Sequence, residues 1–285
     1  MFARAWLFVN DCVQAFIDDG ALSRGASIAF YAGTSLGPVL LVVVGIAGLA
    51  FGEAAARGAV SAELSGLMGK ASADLMQTAV QGAGSRSSGI VASIIGAVTL
   101  LLTVSGVFGE MQAALNAIWK APPTGTTITR LLRARAASLG LVATLGFLML
   151  VSLVISALLS ALAEVVNAVL PFGAEVLEAL NFAISFALIS VMFAAIYKAL
   201  PDVNLSWHDV LVGAVMTALL FTVGKFLIGL YLGRSAVASS YGAAGALIVV
   251  LLWVYYSAQI FLLGAEFTKI YASRRGTPAA IRAVD

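Results

Sequence analysis

Histidine occurs once in this 285-residue chain, at His208, and cysteine once, at Cys12. One cysteine rules out an internal disulfide and says nothing about redox compartment. One histidine rules out a multi-histidine metal site. Charge is scarce as well: 11% of residues are Asp, Glu, Lys or Arg, where soluble domains carry about a quarter. The net charge of +2 is small and scattered, which argues against nucleic acid as a partner. There is no Walker loop, internal repeat, heptad array or low-complexity tract, so no cofactor is expected. The first nine residues lead into Asn10-Asp11 without a small-residue cleavage site. The first membrane helix is therefore expected to act as a signal anchor.

Apolar side chains make up 61% of the chain, and the mean hydropathy is +1.03. Both point to an all-α, polytopic membrane protein. A bilayer-crossing helix needs about 20 apolar residues, and six windows qualify: about 26–51, 89–111, 136–163, 179–197, 210–233 and 245–267. Residues 1–272 then form a single transmembrane helical domain, and 273–285 a polar, loose tail. Residues 2–19 set Trp6, Val9, Val13 and Phe16 at helical spacing among Arg4, Asp11 and Asp18. That pattern predicts an amphipathic helix, lying in the membrane interface or on the protein's own surface. Residues 53–88 predict a helical extracytoplasmic loop, because Val60, Leu64, Leu67, Leu75 and Ala79 recur at helical intervals.

Six spans put both termini on one side. If that side is the cytoplasm, eleven basic residues are inside: Arg4, Arg24, Lys120, Arg130, Arg133, Arg135, Lys198, Lys269, Arg274, Arg275 and Arg282. Four are outside: Arg57, Lys70, Arg86 and Arg234. This imbalance fits the positive-inside rule, with Trp119 and Trp207 at the expected inner boundary. Both termini are thus predicted on the cytoplasmic side, with the lipid bilayer as the first partner.

The stretch Gly25–Gly52 has no charge over 28 positions, yet Pro38 interrupts it. Proline removes one backbone donor and pushes off the carbonyl four residues back, that of Thr34. Broken helices at this depth mark substrate sites in many transporters; the plainer alternative is a kink satisfied by Thr34 or Ser35. Polar residues within the other spans are also candidates. Lys225 interrupts the fifth, where it either snorkels outward or faces the bundle. Glu110 and Glu266 are placed at the inner boundary, with Lys198, Lys120, Arg133 or Lys269 as partners. Tyr255, Gln259 and Glu266 share one helix face. With Tyr31, Ser35 and Pro38 of the first span, these residues are the substrate-pathway candidates.

Enzyme signatures are weak. Gly33-Thr34-Ser35-Leu36-Gly37 matches Gly-x-Ser-x-Gly, but that motif needs a strand-turn-helix setting and a base within reach. Ser206-Trp207-His208-Asp209 predicts a capping box, with serine at the N-cap and an acid three residues on. The chain is expected not to be an enzyme. Ser152, Ser156 and Ser160, and the pairs Gly33/Gly37, Gly48/Gly52 and Gly229/Gly233, predict helix-packing surfaces.

Several motifs in order resemble the YihY/BrkB family of bacterial inner-membrane proteins. They are AFYAGTSLGP (Ala29–Pro38), TVSGVFGEMQAALNAIWK (Thr103–Lys120), SWHDVLVGA with Lys225 and GLYLG, and the segment Ser239–Ala272. The resemblance implies six membrane helices and a cytoplasmic-membrane location. It carries over Tyr31, Pro38, Lys225, Tyr241, Gly242, Gly245, Tyr256, Gly264 and Glu266. An older nuclease label for the family fits badly, since this chain has one histidine and no basic groove. Transport of a small solute or lipid, through a site between the first and sixth helices, suits the broken first helix. The alternative is a non-transporting envelope scaffold that binds protein partners. An oligomer is compatible with either.

Overall fold

The computed structural model describes residues 2–35, 52, 54, 58, 105–121, 173–234 and 242–277. Pro38, Gly48, the loop at 53–88 as a helical unit, the third span with its three serines, and most of the second span lie outside the described residues. Among the described residues every regular element is a helix and none is a strand. In chain order these are α1 (Phe2–Asp18), α2 (residues 21–35), α3 (residues 105–118), α4 (Gly173–Ala199), α5 (Trp207–Arg234) and α6 (Gly242–Arg274). Three of them, over Val176–Ala199, Trp207–Ile228 and Ile248–Arg274, are long and apolar enough to cross a membrane. Their large apolar side chains remain uncovered along one side: Leu211, Val215, Leu219, Val223 and Phe226 of α5 are all exposed. In water such a strip marks an interaction surface; against lipid it is the ordinary outer face of a spanning helix.

Helix ends follow local chemistry. Gly20, at φ 66, closes α1 and turns the chain into α2, and Arg24 N–H donates to its carbonyl. The α3 terminus has Lys120 at φ 44, with Lys120 N–H on Ala117 and Ala121 N–H on Asn116. This is the paired pattern of a left-handed helix stop, and Pro122-Pro123 follows it. The same pattern closes α6: Gly276 sits at φ 85, with Gly276 N–H on Ser273 and Thr277 N–H on Ala272. So α6 runs seven residues beyond the span end expected at 267, and the start of the expected loose tail is structured.

The chain forms two compact units. The first comprises Met1–Asp19, Gln112–Thr222 and Leu263–Asp285; the second comprises Gly20–Met111 and Val223–Leu262.

In the first unit, α5 and α6 meet through a reciprocal pair of notches. Gly213 faces Thr268 and Gly264 faces Thr217, so close that a Cβ on either glycine would stand 1.8 or 1.9 Å from the opposing hydroxyl. Each threonine donates to the glycine carbonyl four residues back on its own helix, Thr217 to Gly213 (2.7 Å) and Thr268 to Gly264 (2.6 Å). Tyr197 of α4 joins through a 3.0 Å bond between its hydroxyl and that of Thr217. Small residues let membrane helices approach, and the threonines satisfy their own hydroxyls within the helix. The Asp202 loop is clamped to α3. Asn116 Nδ2 donates to Asp202 (2.8 Å), Asp202 N–H donates to Asn116 Oδ1 (2.8 Å), and Gln112 adds a 3.3 Å bond.

α1 docks by one face and leaves the other bare. Phe8 packs edge-on against Phe267 at 5.1 Å and Cys12 is buried, while Trp6, Val9, Val13 and Ile17 are exposed. The docking alternative is therefore met, and the opposite side keeps an uncovered apolar strip. Trp119 is buried in protein, whereas Trp207 is 59% exposed.

In the second unit the contacts again run through glycines. Gln259 fills the notch at Gly25, Leu251 that at Gly33, Tyr31 that at Gly106, and Tyr256 with Ile260 that at Gly224.

Candidate functional site

Three charged side chains meet in the first unit where the α1–α2 turn passes α6. Lys269 Nζ lies 2.7 Å from Asp19 Oδ2 and 2.7 Å from Glu266 Oε2. The geometry starts in the sequence. Residues three apart on a helix share a face, which puts Glu266 beside Lys269, and Asp19 stands just ahead of the left-handed Gly20 that ends α1. Glu266 is fully buried and Lys269 nearly so. An ionisable residue within a membrane-length helix is costly, and its presence there argues for function.

The surroundings are charged too. Arg274 Nη2 meets Asp11 Oδ2 at 2.6 Å, and the Arg274 Cζ lies 4.8 Å from the Phe8 ring centroid. Between that pair and the triad sits the Cys12 thiol. Burial pushes it up from 9.0 to about 11, and the negative charges of Glu266 and Asp11 add to the effect.

A second polar cluster closes the start of α5. Asp209, also buried, accepts from Thr277 Oγ1 at 2.7 Å, and Arg275 Nη1 stands 3.7 Å from its other oxygen. Arg275 also contacts His208 Nδ1, and the His208 ring stacks on Tyr271. The expected capping box is half correct. The Ser206 carbonyl takes the first helical bond, from Val210 N–H at 3.0 Å. Asp209, however, reaches the residues after α6 instead of turning back to Ser206. The Gly276 turn supplies Thr277 at that spot, and a hydroxyl donor beside a buried carboxylate wins over a strained return to the local backbone.

The other pathway candidates are spread out. Gln259 Nε2 approaches the Leu22 carbonyl of α2 at 3.4 Å, and its buried Oε1 has no hydrogen-bond partner among the described residues. Tyr31 is exposed and packs by its ring edge on Gly106. Ser35 is buried and donates to the Ala32 carbonyl at 2.9 Å; Thr34 donates to both Phe30 and Tyr31. Glu110, Lys225 and Tyr255 are half-buried. Pro38 lies outside the described residues. Of the expected partners of Glu266, Lys269 is present. Lys198 instead donates to the Leu205 carbonyl and stands 5.4 Å from the Trp207 ring centroid. Asp19 was absent from the candidates, because an acid before a glycine reads as an ordinary helix end. The signal available was its position just ahead of an uncharged membrane-length run. Among the described residues no three His, Cys, Asp or Glu side chains are grouped as metal ligands.

A family model described as Virulence factor BrkB matches residues 12–283. A UPF0761 membrane protein of Rhodospirillum centenum is 30% identical over 61% of this chain and 37% of its own length. One from Kangiella koreensis is 30% identical over 60% and 41%, and one from Yersinia pestis is 32% identical over 62% and 58%. The chain thus spans about two fifths of the length of the first two relatives. No solved structure matches it.

Proposed function

The chain belongs to the BrkB family of membrane proteins, and on that premise we propose that it is a transporter or flippase, not an enzyme. The observation that carries this reading is Glu266, wholly buried in a membrane-length helix and paired with Lys269 and Asp19. Such groups are rare in spanning helices and typically mark ion or substrate routes. The passenger is a small solute or lipid, and its site lies between the first and sixth spans, where Gln259 meets the Leu22 carbonyl and Leu251 meets Gly33. Supporting the non-enzymatic part, the Ser35 hydroxyl is engaged by its own helix. The exposed apolar strip of α1 fits a helix resting at the membrane interface. The cytoplasmic membrane, with both termini inside, follows from the distribution of basic residues; a reporter fused after Asp285 should be active only in the cytoplasm.

The test is flux. Purified protein in vesicles is offered a panel of small solutes and fluorescent lipids, with Glu266→Gln in parallel. Expected is protein-dependent movement of one class, lost in the variant. Equal rates in empty and protein-containing vesicles across the panel would favour the scaffold reading.

A further inference from the structure

We propose that Lys225 and Tyr256 hold a phosphate group of the passenger, an inference that rests on the transport reading and names the chemistry its site takes. Lys225 lies within the membrane-length run Trp207–Ile228 of α5. It is half-buried, and among the described residues it has no ion-pair or hydrogen-bond partner. A cation in a spanning helix is costly, and such residues pair with an anion or mark a substrate route. No acid among the described residues pairs with this one, so the anion comes from outside. Val223, Phe226 and Leu227, on either side of Lys225 in the sequence, are exposed and apolar. That is the kind of surface acyl chains cover.

A second donor stands next to it. Gly224 opens a notch in α5 that receives the Tyr256 phenol of α6; a Cβ there would lie 2.6 Å from the hydroxyl and 2.8 Å from Cε1. Tyr256 is half-buried, and its hydroxyl also has no hydrogen-bond partner among the described residues. A tyrosine hydroxyl set into a helix contact ordinarily has one. Consecutive Cα atoms are about 3.8 Å apart, so the Lys225 stem leaves α5 beside the residue on which the phenol rests. Together they offer an ammonium with its N–H donors and a hydroxyl with one more. A cationic ligand is repelled by that ammonium, and a neutral one leaves its charge uncompensated. An oxyanion with several acceptor oxygens satisfies both groups, and lysine binds phosphate as a point charge. The place agrees with the passenger site. Tyr256 meets α5 at Gly224, and Gln259, less than one turn further along α6, meets α2 at Gly25.

The experiment is native mass spectrometry of the purified protein in an uncharged detergent, with phosphatidylglycerol and diacylglycerol of the same acyl chains as probes. The wild type should bind phosphatidylglycerol at least about tenfold more tightly than diacylglycerol. Lys225→Gln should abolish that preference and Lys225→Arg should keep it. Tyr256→Phe, which removes one oxygen, should lower it about threefold. Misfolding would weaken both lipids alike, so the ratio is the readout. Equal binding of the two lipids by the wild type, or an unchanged ratio in Lys225→Gln, would overturn the proposal. Inorganic phosphate is the third probe. If it displaces phosphatidylglycerol, the ligand is a soluble phosphate; if it does not, the ligand is a lipid headgroup; both outcomes support the phosphate site. Phosphate preference without flux in vesicles would leave the site standing and remove the transport reading. Flux kept in Lys225→Gln, with equal binding of the two lipids by the wild type, would do the reverse.

Discussion

Replacing Gly213 by alanine tests the closest helix contact in the first unit. The new Cβ would lie 1.8 Å from Thr268 Oγ1, 2.8 Å from its Cβ and 2.9 Å from its Cγ2. Non-bonded heavy atoms settle at about 3.5 Å. Rotating Thr268 about χ1 removes the hydroxyl clash but leaves Cβ in place, still roughly 0.7 Å too close. Rotation also gives up the bond to the Gly264 carbonyl. The α5 and α6 backbones must therefore separate. Overpacking of this kind costs about 1–3 kcal/mol, and with all three contacts short the upper end applies. Alanine regains about 1 kcal/mol of helix propensity over glycine. The net expectation is a loss of about 2 kcal/mol, read by reversible unfolding in detergent or bicelles. In a Thr268→Gly background the three atoms nearest the new methyl are gone, and the same substitution should stabilise by up to about 1 kcal/mol. A Gly213→Ala effect of the same size and sign in both backgrounds would refute the close-contact argument.

The thiol of Cys12, raised to about 11, should alkylate at pH 8 at least about a hundredfold more slowly than an ordinary cysteine and speed up about tenfold per pH unit until near 11; a rate matching free cysteine means α1 is not docked. Gly276→Ala meets no neighbour within 4 Å, so its cost is conformational, about 1 kcal/mol, and hydrogen exchange at 275–277 should quicken as Thr277 leaves Asp209. Removing the triad altogether, as Asp19→Leu with Glu266→Leu and Lys269→Met, should leave stability equal or higher, whereas Lys269→Met alone should lose about 3–5 kcal/mol by stranding the enclosed Glu266. Unfolding of all three proteins decides it.

Most of the helices were legible because apolar runs of membrane length are a signal that composition alone carries. The expected spans at 179–197, 210–233 and 245–267 fall inside α4, α5 and α6. The ends were less legible. A hydropathy window stops where charge begins, but α6 continues to Arg274 because its polar last turns pair with Asp19 and Asp11. The packing was harder still. Glycine pairs four apart were noticed, but the contact that matters alternates glycine with threonine, Gly213 with Thr217 and Gly264 with Thr268, and only the crossing of two helices shows that each fills the other's notch. Glu266 and Lys269 were visible as an i, i+3 pair. Asp19 was not, since it lies 250 residues from its partner and its approach depends on the bend at Gly20.

The triad also bears on why α6 has this composition. Van der Waals packing and closely fitted small residues hold membrane helices together, and the Gly–Thr notches and the Tyr197–Thr217 bond supply both in the same unit. Ionised groups add little to such a contact. Each carries a desolvation penalty of several kcal/mol, and apolar residues of similar volume often do as well or better. Glu266 is nonetheless wholly enclosed, with Lys269 standing 2.7 Å from it and from Asp19 alike. Packing alone gives no reason for a carboxylate at that place, and the transport reading does, because enclosed acids in spanning helices typically line ion or substrate routes.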